Sequence, residues 1–412
     1  MAADSAVTIS GGGYLKTYNS ADKLFQLVEG QPVAIMIYHN AEIMSVPWET
    51  VISLYREQAA GKTLETVEAY AEDFMNFLSG NPELFPAEHQ DAEFFKLVAV
   101  VYSQIAQEFD YQVERFEQQK AGDLSVHVSH IFEFVVDQWH HDYQHNIDES
   151  PREELKCFPQ GMGENIRRRY KKDIEDLIDS LADALTSEFR GLRISDETRA
   201  KLRDIAVYAV VKDAFFEFYT GLVFAGFGRA DKYPSMRSYL VSNVVLGVLK
   251  RRNDRFADVT PDGPPIVQPF AQDRMIRTFV TGMDQHLRMF LFTETLKLTF
   301  SLLADVISRM PIEDEDKQKL FEEYSQTNLS QALISFFESV NTYQYRVHTL
   351  PIYRAIQNLP KAELADTAAS LVKLNSFQQK VTQSIETVGG PIDVAVITRN
   401  GGLEWKKESA KL

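Results

Sequence analysis

Histidines cluster in the first half of the chain, at spacings that are compatible with metal chemistry. His141 and His145 are four residues apart and His127 and His130 are three apart, so each pair would share one face of a helix. Two imidazoles at such a spacing can bind zinc when another part of the fold supplies a third ligand. No glutamate follows His141, so the metalloprotease motif is absent. We therefore interpret these histidines as a polar helix face and expect no metal site.

The other reactive or charged residues also have a simple structural interpretation. The basic cluster Arg167–Arg169 is compatible with phosphate or an acidic partner, but Asp173 and Glu175 follow it closely, which favours a solvated helix face with ion pairs. Cys157 has no motif around it and is interpreted as structural. Gly11–Gly13 does not have the spacing of a phosphate-binding loop and predicts a turn. The sequence indicates no cofactor.

Composition and charge exclude several classes of protein. The chain has 412 residues, of which 44% are apolar, so it can bury one large core or two ordinary ones. Its 59 acidic residues exceed its 43 basic ones, and a net charge of −16 disfavours nucleic-acid binding. One cysteine rules out an internal disulfide framework. No apolar run has the length of a membrane span, and no secretory signal is evident. We therefore expect a cytoplasmic protein that does not associate with a membrane.

The elements that would position a site fall at the two ends of the chain, with helices between them. Short runs that are apolar on both faces predict buried strands at Val33–Tyr38, Gly221–Gly228 and Val394–Thr398. Asn400-Gly401 lies between apolar runs and predicts a hairpin. Helical periodicity dominates from about 93 to 215 and again from about 272 to 345. Periodicity alone indicates an α+β layered fold with a large helical insertion.

Three stretches resemble, in order and spacing, the proteasome β-subunit and HslV-type peptidases, which are N-terminal-nucleophile (Ntn) hydrolases. The first contains Ala2–Thr8 and Ser20–Phe25, the second Gly221–Gly228 with Tyr233–Tyr239, and the third Thr387–Val396 with Asn400–Lys407. In this family the first residue supplies the nucleophile, and its own α-amine accepts the proton. The resemblance implies a support role in catalysis for Asp4 and Lys23, since a lysine held by a carboxylate keeps the pKa of that amine low.

The sequence departs from the family pattern at the nucleophile itself. In the family a strand beginning with the catalytic threonine precedes the segment that matches Ala2–Thr8, whereas Met1 and Ala2 have no nucleophilic atom. The glycine whose amide serves the oxyanion is replaced here by His39-Asn40, and the family's supporting Asp and Ser fall on Ile385 and Val388. We therefore expect no peptidase activity unless an upstream segment supplies the nucleophile.

The resemblance implies a four-layer αββα sandwich that carries large helical insertions. Its core would comprise residues 1–82, 216–283 and 351–412, and the insertions would be 83–215 and 284–350. The three buried strands would then belong to one sandwich.

The leading functional hypothesis is a proteasome-related hydrolase of peptide or amide bonds, active once the nucleophile is supplied. The alternatives are a catalytically inactive scaffold on the same fold, whose helical lobe is the working surface, and, less favoured, a non-peptidase amidohydrolase. A homo-oligomer and a peptide or protein substrate are the expected partners.

Overall fold

The structure is a computed structural model that describes residues 1–11, 14–18, 22–119, 122–216, 218–271, 273–325, 329–382 and 390–407. It is a mixed α+β fold, as predicted. It divides into two compact units: unit 1 combines Met1–Leu24 with Ala257–Leu412, and unit 2 is Phe25–Phe256. Among the helices in the described ranges, none is long and apolar enough to cross a membrane.

Strands lie near the two ends and in the middle of the chain, and helices occupy the two long segments between them. The strands are β1 Ala2–Asp4, β2 Val7–Gly11, β3 Tyr14–Tyr18, β4 Leu24–Gln26, β5 Val33–His39, β6 Glu42–Ile43, β7 Val46–Pro47, β8 Thr220–Gly226, β9 Ser235–Val245, β10 Val248–Asp258, β11 Ile392–Thr398 and β12 Gly402–Lys407. The helices are α1 Trp48–Gln58, α2 Val67–Ser79, α3 Ala87–Gln118, α4 Leu124–Gln144, α5 Met162–Arg169, α6 Lys171–Glu188, α7 Asp196–Val211, α8 Arg274–Thr281, α9 Gln285–Ser308, α10 Asp314–Tyr324, α11 Ser330–Gln344, α12 Leu350–Gln357 and α13 Lys361–Val381. A π-helical turn, Tyr345–Thr349, connects α11 to α12.

A five-stranded sheet of order β10-β9-β8-β5-β4 organises unit 2. Strands β5 and β8 pair antiparallel, with Val33 opposite Gly226 and His39 opposite Thr220. Two of the predicted buried strands therefore pair with each other, although the helices α1 to α7 separate them in the sequence. Helices α1 and α2 cover this sheet, and the Phe74 ring meets that of Phe224 edge-on at 5.7 Å.

Helices α3 to α7 form a second core within unit 2, which confirms the helical character predicted for residues 83–215. Their apolar stripes face one another, as in the run from Phe94 to Phe109 on α3, where every third or fourth residue is buried. The buried hydroxyl of Tyr102 donates to the carbonyl of Leu202 at 3.0 Å, which ties α3 to α7. This core also includes Val245 at the end of β9, so the helices contact the five-stranded sheet at that residue.

Unit 1 contains a three-stranded sheet of order β1-β11-β12. Strands β11 and β12 form the hairpin predicted at Asn400-Gly401, with Thr398 opposite Gly402. Helix α13 packs on this sheet through Ala365 and Ala369, which meet Ile392 and Val394. Small residues on α13 allow that close approach.

The division into units differs from the predicted arrangement of the core. Strand β11 lies in the three-stranded sheet of unit 1, whereas β5 and β8 lie in the five-stranded sheet of unit 2, so the three predicted strands do not share one sheet or one unit. Segments 25–82 and 216–256 bury their apolar faces in one core, and residues 94–211 form a second core to which Val245 also belongs. Residues 83–215, which were predicted as an insertion, contribute most of the second core.

Gly228 is a glycine of unit 2 at which an added side chain would collide with backbone atoms. A Cβ there would lie 2.3 Å from the carbonyl oxygen of Glu65 and 2.3 Å from the Cα of Thr66, both backbone atoms. We expect Gly228→Ala to lower the free energy of unfolding by about 3 kcal/mol, because the start of α2 must move. Gly30→Ala is the control: its Cβ would meet nothing within 4 Å, and only a φ of +75° opposes it, at about 1 kcal/mol. Equal losses in urea unfolding would contradict the contact explanation.

Candidate functional site

Strand β1 places Asp4 at the edge of the three-stranded sheet. It pairs antiparallel with β11, with Ala2 opposite Val394 and Asp4 opposite Ile392. The pairing continues to Met1, whose amino group donates to the carbonyl of Ala395 at 2.8 Å. The position of Asp4 is thus fixed by backbone hydrogen bonds on the strand that carries it.

Asp4 and Lys23 meet, as the resemblance implies. The Nζ atom of Lys23 donates to Oδ1 of Asp4 at 2.9 Å, and the two side chains are 17% and 14% exposed. The other carboxylate oxygen of Asp4 accepts from the backbone N–H of Ala6 at 3.2 Å, which closes a tight turn after β1. The structure therefore brings both predicted site residues together in a mostly buried ion pair, while their support role in catalysis stays a prediction.

The next residue, Ser5, has a structural role. It is buried, and its hydroxyl donates to the carbonyl of Pro391 at 2.9 Å, which ties the turn after β1 to the start of β11. The hydroxyl is therefore engaged in holding together the sheet that positions Asp4.

His39, which the resemblance compares with a glycine of the family, has a backbone conformation that favours glycine. Its φ is +77°, in the left-handed region. Its ring stacks on that of Tyr219 with 4.1 Å between ring centroids, in unit 2. The other two positions compared with the family, Ile385 and Val388, lie outside the described residues, as do Gly12, Gly13 and Gly389.

Three histidines at the C-terminal end of α4 contact neighbouring side chains. The rings of His141 and His145 stack at 4.4 Å, and Nε2 of His141 lies 3.2 Å from a carboxylate oxygen of Glu149. His140 instead contacts Asp204 at 3.3 Å. Within the described part of the chain, no group of three His, Cys, Asp or Glu side chains is arranged to hold a metal ion.

The basic cluster of α5 is an ion-paired helix face, although its partners differ from those expected. Arg167 pairs with Asp204 on α7, and Arg169 pairs with Asp91 on α3 at 2.5 Å. Glu175, which the sequence suggested as a partner, pairs with Arg203 instead. The cluster faces helices α3 and α7. Its arginines therefore form ion pairs with acidic residues of those helices rather than with acidic residues nearby in the sequence.

Sequence reasoning missed Lys250, a fully buried lysine on β10. Its Nζ donates to the carbonyls of Ala209 at 2.7 Å and Ala214 at 2.5 Å, at the C-terminal end of α7, and lies 5.0 Å from the centre of the Phe215 ring. Burial lowers the pKa of Lys250 to about 7, opposed by Cys157 and Asp213. A lysine in a strand with several other charged residues predicts exposure, so only the tertiary structure could identify it.

Comparison with protein-family models, with curated proteins and with solved structures gives no match.

Proposed function

We propose that this chain is a proteasome-related protein of the Ntn-hydrolase fold, which hydrolyses peptide or amide bonds only if a segment ahead of Asp4 supplies the N-terminal nucleophile. The observation that carries this proposal is the mostly buried Asp4–Lys23 ion pair at the edge of the β1-β11-β12 sheet. The left-handed backbone of His39, at the position of a family glycine, also supports the resemblance. The four-layer sandwich is part of this proposal.

The ion pair has the properties that an Ntn site needs. An ammonium group has three N–H donors, and Asp4 accepts one from Lys23. Partial burial weakens solvent screening, so this positive charge acts more strongly on a neighbouring amine or oxyanion than a surface lysine does. The backbone N–H of Ala6 and the strand pairing fix Asp4, and Asp4 in turn fixes the ammonium group. Such preorganised charge is the main source of stabilisation for an anionic transition state.

The proposed reaction proceeds in two balanced steps. The hydroxyl or thiol of the N-terminal residue attacks the substrate carbonyl carbon, and its proton passes to the free α-amine. The amine leaving group departs with that proton, which leaves an acyl-enzyme. Water, deprotonated by the same α-amine, then attacks the acyl carbon. The bond to the nucleophile breaks, the α-amine returns the proton to its oxygen or sulfur, and the carboxylic acid is released. Lys23 stabilises the oxyanion and keeps the α-amine neutral.

A catalytically inactive interaction protein is the second candidate function. The observation that favours it is the helical segment α9 to α12, which exposes many large apolar side chains, such as Phe290 at 60% and Leu298 at 61%. Exposed apolar surface on this scale typically marks an interaction site. The two candidates differ in whether the purified protein forms a covalent acyl-enzyme.

The experiment is to purify the 412-residue chain and an N-terminally extended form that begins at Thr, Ser or Cys, and to treat both with a peptide β-lactone or vinyl sulfone. We expect intact-mass analysis to find one covalent adduct, located by peptide mapping on an N-terminal Thr, Ser or Cys that precedes Asp4. A form that begins at Met1 should give no adduct and no hydrolysis, because Met1 and Ala2 have no nucleophilic atom. An adduct on the form that begins at Met1, or no adduct on either form, would reject the hydrolase.

A further inference from the structure

The loop that follows helix α4 borders an open pocket of about 430 Å³ in unit 2. The residues that line it are Asn146, Ile147, Asp148 and Arg152. Backbone hydrogen bonds fix the loop. The N–H of Asn146 donates to the carbonyl of Ser150 at 2.8 Å, and the N–H of Arg152 donates to a carbonyl at the end of α4 at 2.6 Å. The wall of the pocket is therefore formed before any ligand binds.

Two positive charges come close together beside this pocket without a carboxylate partner. The Nζ atom of Lys212, just after α7, donates to the backbone carbonyl of Arg152. Burial lowers the pKa of Lys212, Glu154 opposes this effect, and the charge of Arg152 lowers the pKa further. Over the described residues, neither cation lies within ion-pair distance of a carboxylate. An anion in the pocket would relieve the repulsion between them.

Tyr143, in the last turn of α4, adds a buried donor to these charges. Its side chain is 4% exposed, and its hydroxyl has no hydrogen-bond partner in the described part of the chain. Burial raises the pKa of Tyr143, and the positive charge of Arg152 is near enough to oppose that rise. Buried polar groups are almost always hydrogen-bonded, so an orphaned hydroxyl beside a pocket indicates a missing acceptor.

The pocket favours a carboxylate over other anions. The planar fork of an arginine matches the two oxygens of a carboxylate, and one of those oxygens can also accept from Tyr143. Asp148 lines the same pocket, and hydrogen bonds from the hydroxyl and N–H of Ser150 lower its pKa and keep it charged. This negative charge repels a doubly charged phosphate more strongly than a singly charged carboxylate.

We propose that this pocket binds a carboxylate attached to an aliphatic group, the chemistry shared by a peptide C-terminus and a free apolar acid. Arg152 holds both carboxylate oxygens, and Tyr143 donates to one of them. Ile147, which is 103% exposed on the pocket wall, covers the aliphatic group. This proposal does not rest on the hydrolase activity.

The experiment is a ligand-observed NMR titration of the full chain. N-acetyl-L-leucine supplies the carboxylate and an aliphatic side chain, and its amide lacks only the charge. We expect the acid to bind with a dissociation constant of roughly 1 mM, and the amide at least tenfold more weakly. A short peptide with a C-terminal leucine separates the two sources: tighter binding than the free acid identifies a peptide C-terminus, and equal binding identifies a free acid.

Three variants test the residues of the pocket. Arg152→Gln should weaken binding of the acid at least tenfold, because charge-assisted hydrogen bonds are lost. Tyr143→Phe removes only the hydroxyl, so it should weaken binding about fivefold without lowering the urea midpoint of the ligand-free chain. Arg193→Gln is the matched control, since Arg193 is an exposed arginine of unit 2, and it should leave binding unchanged.

Several results would overturn the proposal. Equal binding of acid and amide would show that the charge is not recognised, and tighter binding of inorganic phosphate would indicate a general anion site. Unchanged binding by Arg152→Gln, or equal weakening by Arg193→Gln, would place the ligand elsewhere. A ligand-free Tyr143→Phe chain with a lower urea midpoint would show that the hydroxyl already has a partner.

Discussion

Replacing Lys23 by Met in the hydrolytically active form is expected to lower kcat/KM for amide hydrolysis by about 10²- to 10³-fold, the usual effect of removing one preorganised oxyanion group. The reason is the 2.9 Å pair with Asp4, which fixes a positive charge at the edge of the β1-β11-β12 sheet. Asp4→Asn should have a similar effect, because it removes the carboxylate that orients Lys23. The measurement is steady-state hydrolysis of a fluorogenic peptide.

The pH profile separates a catalytic role from a merely structural one. A nearby ammonium group lowers the pKa of an amine, so loss of Lys23 should raise the pKa of the catalytic α-amine. The acidic limb of the pH–rate profile should therefore move to higher pH in Lys23→Met. Lys62→Met is the matched control, because Lys62 forms a 2.9 Å ion pair with Asp73 in unit 2. If both variants lose the same activity with unchanged profiles, Lys23 acts through stability alone.

Much of the secondary structure was predictable because it follows from local patterns. Short apolar runs predicted β5 and β8, and the structure pairs them, with Val33 opposite Gly226. Asn400-Gly401 predicted the β11-β12 hairpin through turn chemistry alone. Apolar runs and turn residues act through their neighbours in the sequence. The elements that they predict therefore do not depend on the tertiary structure.

The partition of the core was not predictable in this way. Strand β10 contains a run of charged residues and has no apolar run that would predict a strand, yet it is the edge strand of the five-stranded sheet. Its charges are compensated from distant elements: Arg251 pairs with Glu72 on α2, and Arg252 with Asp213 after α7. These ion-pair partners can be identified only when the positions of α2 and α7 relative to β10 are known. The same dependence on tertiary structure puts β11 in unit 1 rather than with β5 and β8.

The candidate site shows the same contrast. Proximity of Asp4 and Lys23 was expected from the resemblance, since no local pattern brings residues 19 positions apart together in a 2.9 Å contact. For Lys250, neither a local pattern nor the resemblance predicted burial. Its burial depends on two carbonyls at the end of α7 and on the ring of Phe215, which come from elsewhere in the chain.

Lys250→Met is expected to destabilise unit 2 by about 3 kcal/mol at pH 9, because the carbonyls of Ala209 and Ala214 lose their donor. Methionine has a similar length and shape, so the loss reflects the hydrogen bonds rather than a cavity. Ala209 lies in the last turn of α7, so its carbonyl carries part of the negative end of the helix dipole, which the Lys250 amine caps. The measurement is urea unfolding followed by the fluorescence of the buried Trp48.

The pH dependence of that difference identifies the buried amine. Burial lowers the pKa of Lys250 from 10.5 to about 7, so between these values the unfolded chain binds one more proton than the folded chain. Its contribution to stability is therefore fully present above 10.5 and is lost as the pH falls towards 7. The slope in this window is roughly 1.4 kcal/mol per pH unit. We expect wild-type stability to rise relative to Lys250→Met between pH 7 and pH 9. Cys157→Ser controls for the neighbouring thiol, whose pKa burial raises. A difference between wild type and Lys250→Met that stays constant across this window would mean that the amine remains charged in the folded protein.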